Sequence, residues 1–189
     1  HKSVEKCDMV EIDKMVVDAC REFIPQTAVG MKDDPRFQLF IEDGLKFVKE
    51  TKNKYDVVIV DSTDPIGPAT PLFGPEFYQD IFKCLNEDGM VASQGESPYY
   101  NQKTQTSMVK ILNGIFPIVR YLNFTNLTYP GGLWSFSVGS KRPHPVRDFK
   151  PSRVKESGLT FNYYNENVHT AAFQLPQFQL NNIGAYFKD

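Results

Sequence analysis

YDVVIVDSTDPIGPATPLF, residues 55–73, is the stretch whose reading decides the fold. A β-branched run, Val57-Val58-Ile59-Val60, stops at Asp61. Ser62, Thr63 and a second acid, Asp64, follow, and then a loop rich in Pro and Gly. A short apolar run bounded by turn signals predicts a buried parallel strand. Ligands of open α/β sheets sit just beyond the carboxyl ends of such strands. Two carboxylates there, beside the stiff Pro65-Ile66-Gly67-Pro68 segment, suit a cationic amine. The competing assignment is that Asp61 and Asp64 are turn and cap residues, for which Asp is often used.

Outward from that stretch, strands and helices alternate. Strands are expected at 6–12, 37–41, 55–60, 90–93, 118–125 and 133–139. Helices are expected at 14–23, with Asp13 as N-cap, and at 45–52, 75–85 and 104–115. Residues 86–89, with Asn86 and Asp88-Gly89, are expected to close the third helix, and Tyr129-Pro130-Gly131-Gly132 to join the last two strands. Such alternation implies βαβ units and a mostly parallel sheet with helices on both faces. Residues 141–151 turn to Pro, Arg and Lys without periodicity. Residues 1–140 are expected to form a Rossmann-like domain, and 141–189 a C-terminal extension packing back on it, through a helical patch at 166–173.

The 189 residues are enough for a sizeable core, and 21 basic against 23 acidic residues leave a net charge of −2. That balance gives no electrostatic case for nucleic acid. No apolar run approaches the roughly 20 residues of a membrane span. Cys7, Cys20 and Cys84 are scattered and odd in number, which fits reduced thiols and a cytoplasmic location. His1, His144 and His169 are too dispersed to suggest a metal site.

The acids mark the strand ends in series. Glu11, Asp43 with Gly44, Asp61 with Asp64, and Glu96 all fall at the expected carboxyl ends of successive strands, hence on one rim of the sheet. One such acid is usually a cap. A row of them divides into tasks: an acid after an early strand can accept ribose hydroxyls, an Asp-Gly turn can reach an adenine edge, and the others can hold an amine.

With these residues in view, the chain resembles the polyamine aminopropyltransferase family, that of the spermidine synthases. The resemblance is carried by Val10-Glu11-Ile12-Asp13, Glu42-Asp43-Gly44, Asp61-Ser62-Thr63-Asp64-Pro65-Ile66-Gly67-Pro68-Ala69, Leu72-Phe73, Gln94-Gly95-Glu96, Thr128 to Phe136, Tyr163-Tyr164-Asn165, His169, Ala171-Ala172-Phe173 and Pro176. It implies the Rossmann-like fold of S-adenosylmethionine-dependent methyltransferases. It also implies aminopropyl transfer from decarboxylated S-adenosylmethionine, a co-substrate, to putrescine, with no further cofactor and no metal. It assigns Asp61 as base, Asp64 as amine anchor, Glu96 at the far ammonium, Tyr129 on the attacking nitrogen and the Ser62 backbone on the amine. Glu11 takes the ribose diol and Asp43-Gly44 the adenine edge, with Pro68, Ala69 and Leu72 on the ring. A homodimer or homotetramer is implied as well. Trp134 and Phe136 are expected in the strand core, and Tyr163, Tyr164 and His169 as tail-docking residues.

The family also carries a small N-terminal β domain and a glycine-rich turn after its first strand, both of which would precede His1. The chain is therefore expected to be the C-terminal portion of a longer enzyme, without the central first strand. Putrescine N-methyltransferase, which uses S-adenosylmethionine, shares the scaffold and remains an alternative, as does a non-catalytic paralogue. The acceptor could equally be cadaverine, agmatine or spermidine.

Overall fold

The path from Glu11 into the first helix shows how the acids shape the chain locally. In the computed structural model, which describes residues 1–27 and 33–188, strand β1 (Cys7–Glu11) runs directly into helix α1 (Lys14–Phe23). The Asp13 amide donates to Glu11 Oε1 at 2.8 Å, and Asp13 Oδ1 accepts from the Met15 amide at 2.8 Å. The second β-α step repeats the device: after β2 (Phe37–Ile41), Asp43 caps α2 (Gly44–Glu50) by accepting from the Leu45 amide at 2.8 Å. Each cap satisfies an amide that the first helical turn leaves without an intrahelical partner. β1 and β2 pair in parallel, Cys7 opposite Phe37 and Glu11 opposite Ile41. At the other end of the pair, the Arg36 guanidinium is held by Asp34 and donates to the carbonyls of His1 and Val4 at 3.1 and 3.0 Å. Hydrogen bonds from the Arg36 side chain and amide hold the Asp34 carboxyl down at about 2. These elements form one compact unit, His1–Thr51.

The second unit, Lys52–Asp189, is built on a four-stranded sheet. Its strands are β3 (Tyr55–Val60), β4 (Leu85–Gln94), β5 (Ile118–Thr125) and β6 (Leu133–Ser140), in the order β3-β4-β6-β5. β3 and β4 are parallel, whereas β6 runs antiparallel to both β4 and β5. The fold is α/β, as expected, but this sheet is mixed. The last two strands form a hairpin, and it is the second arm that inserts beside β4. Helices α3 (Pro75–Cys84) and α4 (Gln102–Asn113) bury Phe77, Tyr78 and Ile81, and Met108, Val109 and Leu112. With Val91, Phe116, Val119, Tyr121 and Ile183 they make the core.

Several boundaries differ from the sequence expectation: β1 is shorter by a residue at each end, α2 ends at Glu50 and α4 at Asn113, each two residues early. β4 begins at Leu85, immediately after α3, rather than at Met90. Tyr55 pairs with Leu85 and Val57 with Met90, so residues 86–89 bulge out of register within the strand instead of preceding it. The bulge is tied down by Asn86 Nδ2 donating to Asp56 Oδ1 at 2.8 Å and by the Lys141 amide donating to the Gly89 carbonyl at 3.1 Å. Helix α4 starts two residues earlier than expected, because its first turn is polar and leaves no mark in the apolar periodicity. The Pro-Gly loop winds into a 3-10 turn, Gly67–Phe73, entered with Gly67 at φ +58°.

The tail supplies α5 (Ser152–Glu156), α6 (Glu166–Ala172) and α7 (Gln177–Ile183). Asn165 caps α6. His169 stacks on Phe149 at 3.8 Å between ring centroids, meets Tyr164 Oη through Nδ1 at 3.0 Å, and meets the Pro145 carbonyl through Nε2 at 2.8 Å. Lys188 forms a bridge with Val119 of β5. Among the described residues no helix is long and apolar enough to cross a membrane.

Gly139 marks a tight packing point in this sheet. A Cβ there would lie 2.8 Å from Cδ2 of Phe116, whose buried ring is itself wedged edge-on against Phe82. Gly139→Ala should destabilise the protein by about 1–3 kcal/mol, the usual cost of overpacking a filled core, measured as a lower urea midpoint at unchanged m-value.

Candidate functional site

The parallel register of β3 and β4 sets the first half of the site. Val60 faces Ser93, so Asp61 leaves β3 level with Gln94 at the end of β4. Asp61 and Asp64 are both exposed and Ser62 is half-buried. The Asp64 carbonyl accepts from the Ile66 amide at 2.7 Å, which starts the turn into Gly67–Phe73. That turn carries Pro68 exposed, with Ala69 and Leu72 half-buried.

Glu96, two residues past the end of β4, is 1% exposed. Its φ of +66° makes it the single non-glycine residue in the left-handed region among those described. Gln94 grips it twice: Gln94 Nε2 donates to Glu96 Oε1 at 2.8 Å, and Gln94 Oε1 accepts from the Glu96 amide at 3.0 Å. The other carboxylate oxygen, Oε2, is buried and has no hydrogen-bond partner among the described residues. Burial pushes the Glu96 carboxyl above the ordinary carboxylate range. The Gln94 donor pulls it back, and the charge of nearby Asp64 pushes it up further.

The second half of the site comes from the β5-β6 hairpin. β6 is antiparallel to β4, so its first residues lie beside the end of β4. Gly131 and Gly132 take φ of +84° and +66°. The Gly132 amide donates back to the Tyr129 carbonyl at 3.2 Å. Tyr129, about half exposed, stacks on Trp134 at 4.3 Å between centroids, and Trp134 Nε1 donates to Gln94 Oε1 at 3.1 Å. Tyr129, Trp134, Gln94 and Glu96 thus form one connected group on the sheet edge where Asp61 ends β3, and Asp64 lies near enough for its charge to act on Glu96. Beneath them Tyr78 Oη donates to Ser93 Oγ at 3.0 Å, and burial pushes that phenol up to about 12.

Glu11, Asp43 and Gly44 belong to the His1–Thr51 unit. There the Glu42 amide donates to the Glu11 carbonyl at 3.2 Å, so both acidic turns lie at one edge of the β1-β2 pair. Glu11 and Asp43 each commit one oxygen to a local backbone amide. The capping role weighed in the sequence is therefore real at Asp43, and it fixes the carboxylate's orientation.

Gln94, Gln105 and Ser135 have no place in the sequence-derived site. Gln94 and Ser135 were visible only as parts of matched motifs, and nothing local marks Gln105. Phe136 lies in the strand stack expected of it, on Phe124 at 4.9 Å. Trp134 does more than fill the core, since its indole nitrogen anchors Gln94.

Residues 1–151 match the spermine/spermidine synthase domain. The chain is 47% identical over 180 residues to a polyamine aminopropyltransferase of Clostridium perfringens and 45% identical over 179 residues to one of Caldicellulosiruptor saccharolyticus. Each alignment covers 94% of this chain and 63% of the relative, so the chain spans under two thirds of the length of these relatives. Among solved structures, a spermidine synthase in complex with the transition state analogue AdoDATO superposes with a TM-score of 0.93 at 39% identity, covering 98% of this chain and 63% of that one. Spermidine synthase from Thermotoga maritima gives 0.90 at 39%, covering 98% and 62%.

A carboxyl raised in the folded state holds its proton to higher pH than the unfolded chain does. The folded protein then binds more protons than the unfolded one, and stability falls as pH rises from the ordinary value of 4.5 through the raised one. Glu96→Gln keeps the acceptor for Gln94 and removes the charge. Urea unfolding across pH 4–8 should show the variant more stable than wild type at neutral pH, with the advantage shrinking towards pH 4.

Proposed function

This chain belongs to the spermine/spermidine synthase domain family, and on that footing we propose that it carries the aminopropyl-transfer site of a spermidine synthase. The observation that carries the proposal is Oε2 of Glu96: a buried carboxylate oxygen with no donor among the described residues, with the acidic Asp64 near it. A buried charge needs a partner. A diamine brings an ammonium and no carboxylate of its own, and so suits this sheet edge.

In the proposed reaction, the lone pair of a neutral amine attacks the methylene next to the sulfonium of decarboxylated S-adenosylmethionine. The new C–N bond forms as the C–S bond breaks, and the bonding pair stays on sulfur as the thioether of methylthioadenosine. The nitrogen then sheds a proton to give spermidine. The sulfonium leaves unaided, so the proposed chemistry asks for no cofactor. It asks the protein for a deprotonated nucleophile and for alignment. Asp61, exposed at the end of β3, takes the proton. Asp64 attracts the diamine, Glu96 receives its far ammonium, and Tyr129, with the Ser62 backbone, steadies the attacking nitrogen. Tyr129 is held for this by its stack on Trp134. Glu11 takes the ribose diol and Asp43, with Gly44, the adenine edge, while Pro68, Ala69 and Leu72 cover the ring. A cytoplasmic homodimer or homotetramer completes the proposal. The three cysteines are free thiols, which fits a reducing compartment.

The test is to incubate the intact protein with putrescine and either decarboxylated or ordinary S-adenosylmethionine and weigh the products. An added aminopropyl group supports the proposal, and an added methyl group overturns it. Asp61→Asn should cut turnover by about two to four orders of magnitude, with methylthioadenosine affinity retained in calorimetry. Asp64→Asn should raise the putrescine KM more than it lowers kcat, because an anchoring charge acts in ground and transition states alike. Steady-state kinetics over a putrescine series separates the two.

A further inference from the structure

The left-handed backbone of Glu96 is held from below by a buried amide relay. A non-glycine residue in this region is strained and persists only where its surroundings over-determine it. The surroundings here are Gln105 of α4 and Ser135 of β6, both fully buried. Gln105 Nε2 donates to the Gly95 carbonyl at 3.0 Å, the Glu96 carbonyl at 3.2 Å and Ser135 Oγ at 2.9 Å. The Ser135 hydroxyl reaches the same two carbonyls at 2.7 Å each. Only a donor fits between two carbonyl oxygens, so the orientation of the Gln105 amide is decided. Its Oε1 then faces outward and accepts from Gln179 Nε2 of α7 at 3.3 Å. Gln179, also fully buried, exchanges hydrogen bonds with Asn123 of β5 at 2.6 and 3.3 Å. The relay thus runs from the C-terminal helix through α4 to the peptide units on either side of Glu96.

We propose that Gln105 is a positioning residue for diamine recognition: it holds the Glu96 backbone in the conformation that leaves carboxylate oxygen Oε2 for the substrate's far ammonium. The proposal rests on the amine-binding role given to Glu96 above. Gln94 completes the hold from the other side by occupying Oε1 and the Glu96 amide. Without the Gln105 donors, the two carbonyls are left to share the single hydrogen of the Ser135 hydroxyl, and the backbone loses part of the hold that keeps it, and the carboxylate with it, in the left-handed region. Selection for the second ammonium then weakens, while attack by the first amine does not depend on Gln105. The C-terminal helix shares in substrate selection through Gln179, although it offers no group of its own to the substrate.

The test compares kcat/KM for putrescine with that for 1-aminobutane, which has the same carbon chain and lacks the second ammonium. Gln105→Met preserves length and removes the donors. In the intact protein the variant should lower the putrescine to 1-aminobutane ratio about tenfold, through the putrescine KM, with the KM of the nucleoside donor unchanged within about twofold. Glu96→Gln should lower the ratio at least as far, and adding Gln105→Met to it should lower it no further, as expected for two residues acting as a unit. A merely structural role would depress both amines alike and leave the ratio alone. If Gln105→Met does not fold, as judged by its thermal transition, Gln179→Met breaks the next link and should lower the ratio about threefold. A folded Gln105→Met or Gln179→Met protein with the wild-type ratio overturns the proposal, provided Glu96→Gln lowers it. An unchanged ratio in Glu96→Gln refutes instead the amine-binding role of Glu96, and the proposal with it.

Discussion

The close approach of Gly95 to β6 is the constraint on which the rest of the site depends. A Cβ at this position would fall 2.7 Å from Ser135 Oγ and 3.0 Å from the Ser137 amide. Because Gly95 has none, the end of β4 can lie against β6 closely enough for its amide to donate to the Ser135 carbonyl at 2.8 Å. The Ser135 hydroxyl then reaches the carbonyls of both Gly95 and Glu96. The chain cannot continue as a regular strand from there. It turns through Glu96 at φ +66° and buries the carboxylate that an extended backbone would carry elsewhere. The partners of Gln94, Gln105 and Trp134 all follow from that turn.

The strained residue, the buried charge and the amide relay support one another. A buried carboxylate is costly, and one oxygen is relieved by Gln94 while the other has no partner among the described residues. A left-handed backbone is costly, and it is offset by the hydrogen bonds that its two carbonyls receive. Each cost sits where the proposed substrate would bind. Strain that the surrounding structure enforces is a recurrent property of ligand sites.

The acids of the first unit work differently. Glu11 and Asp43 are not strained or deeply buried. Each spends one oxygen on a local amide at a strand-to-helix turn. The hydrogen bond that shapes each turn also fixes its carboxylate, so the local bond does not oppose the ligand role proposed for these two acids. The 3-10 turn after Asp64 and the paired glycines after Tyr129 serve the same end in the second unit, by setting where the residues that precede them leave the sheet.

Much of this was legible in the chain itself. β2, β3 and α1 fall where periodicity and turn residues place them, because a short apolar run or an apolar helical face is a local signal; β3 is nonetheless not the buried strand expected, since it ends the order of its sheet and leaves Val57 and Ile59 exposed. The acids at the strand ends were visible as local signals too: Glu11 and Asp43 lie at one edge of the β1-β2 pair, and Asp61 leaves β3 level with the end of β4. The bulge at residues 86–89 was not legible, because Asn86 and Gly89 read as an ordinary helix stop until Asp56 and Lys141 bond to them from other elements. Nor was the mixed sheet, since a hairpin's register does not say which arm will pair with β4. Gln105 and Gln179 are polar residues within helical runs, and nothing local distinguishes them from solvent-facing ones. Their burial, and their partners 9 to 74 residues away in sequence, exist only once α4 and α7 pack on the sheet. The sequence by itself determined which residue types stand at the strand ends, because that depends on near neighbours. The tertiary structure decided which of those acids is buried, strained and left with an open oxygen, because burial and hydrogen-bond partnership depend on residues that meet only when the chain has folded.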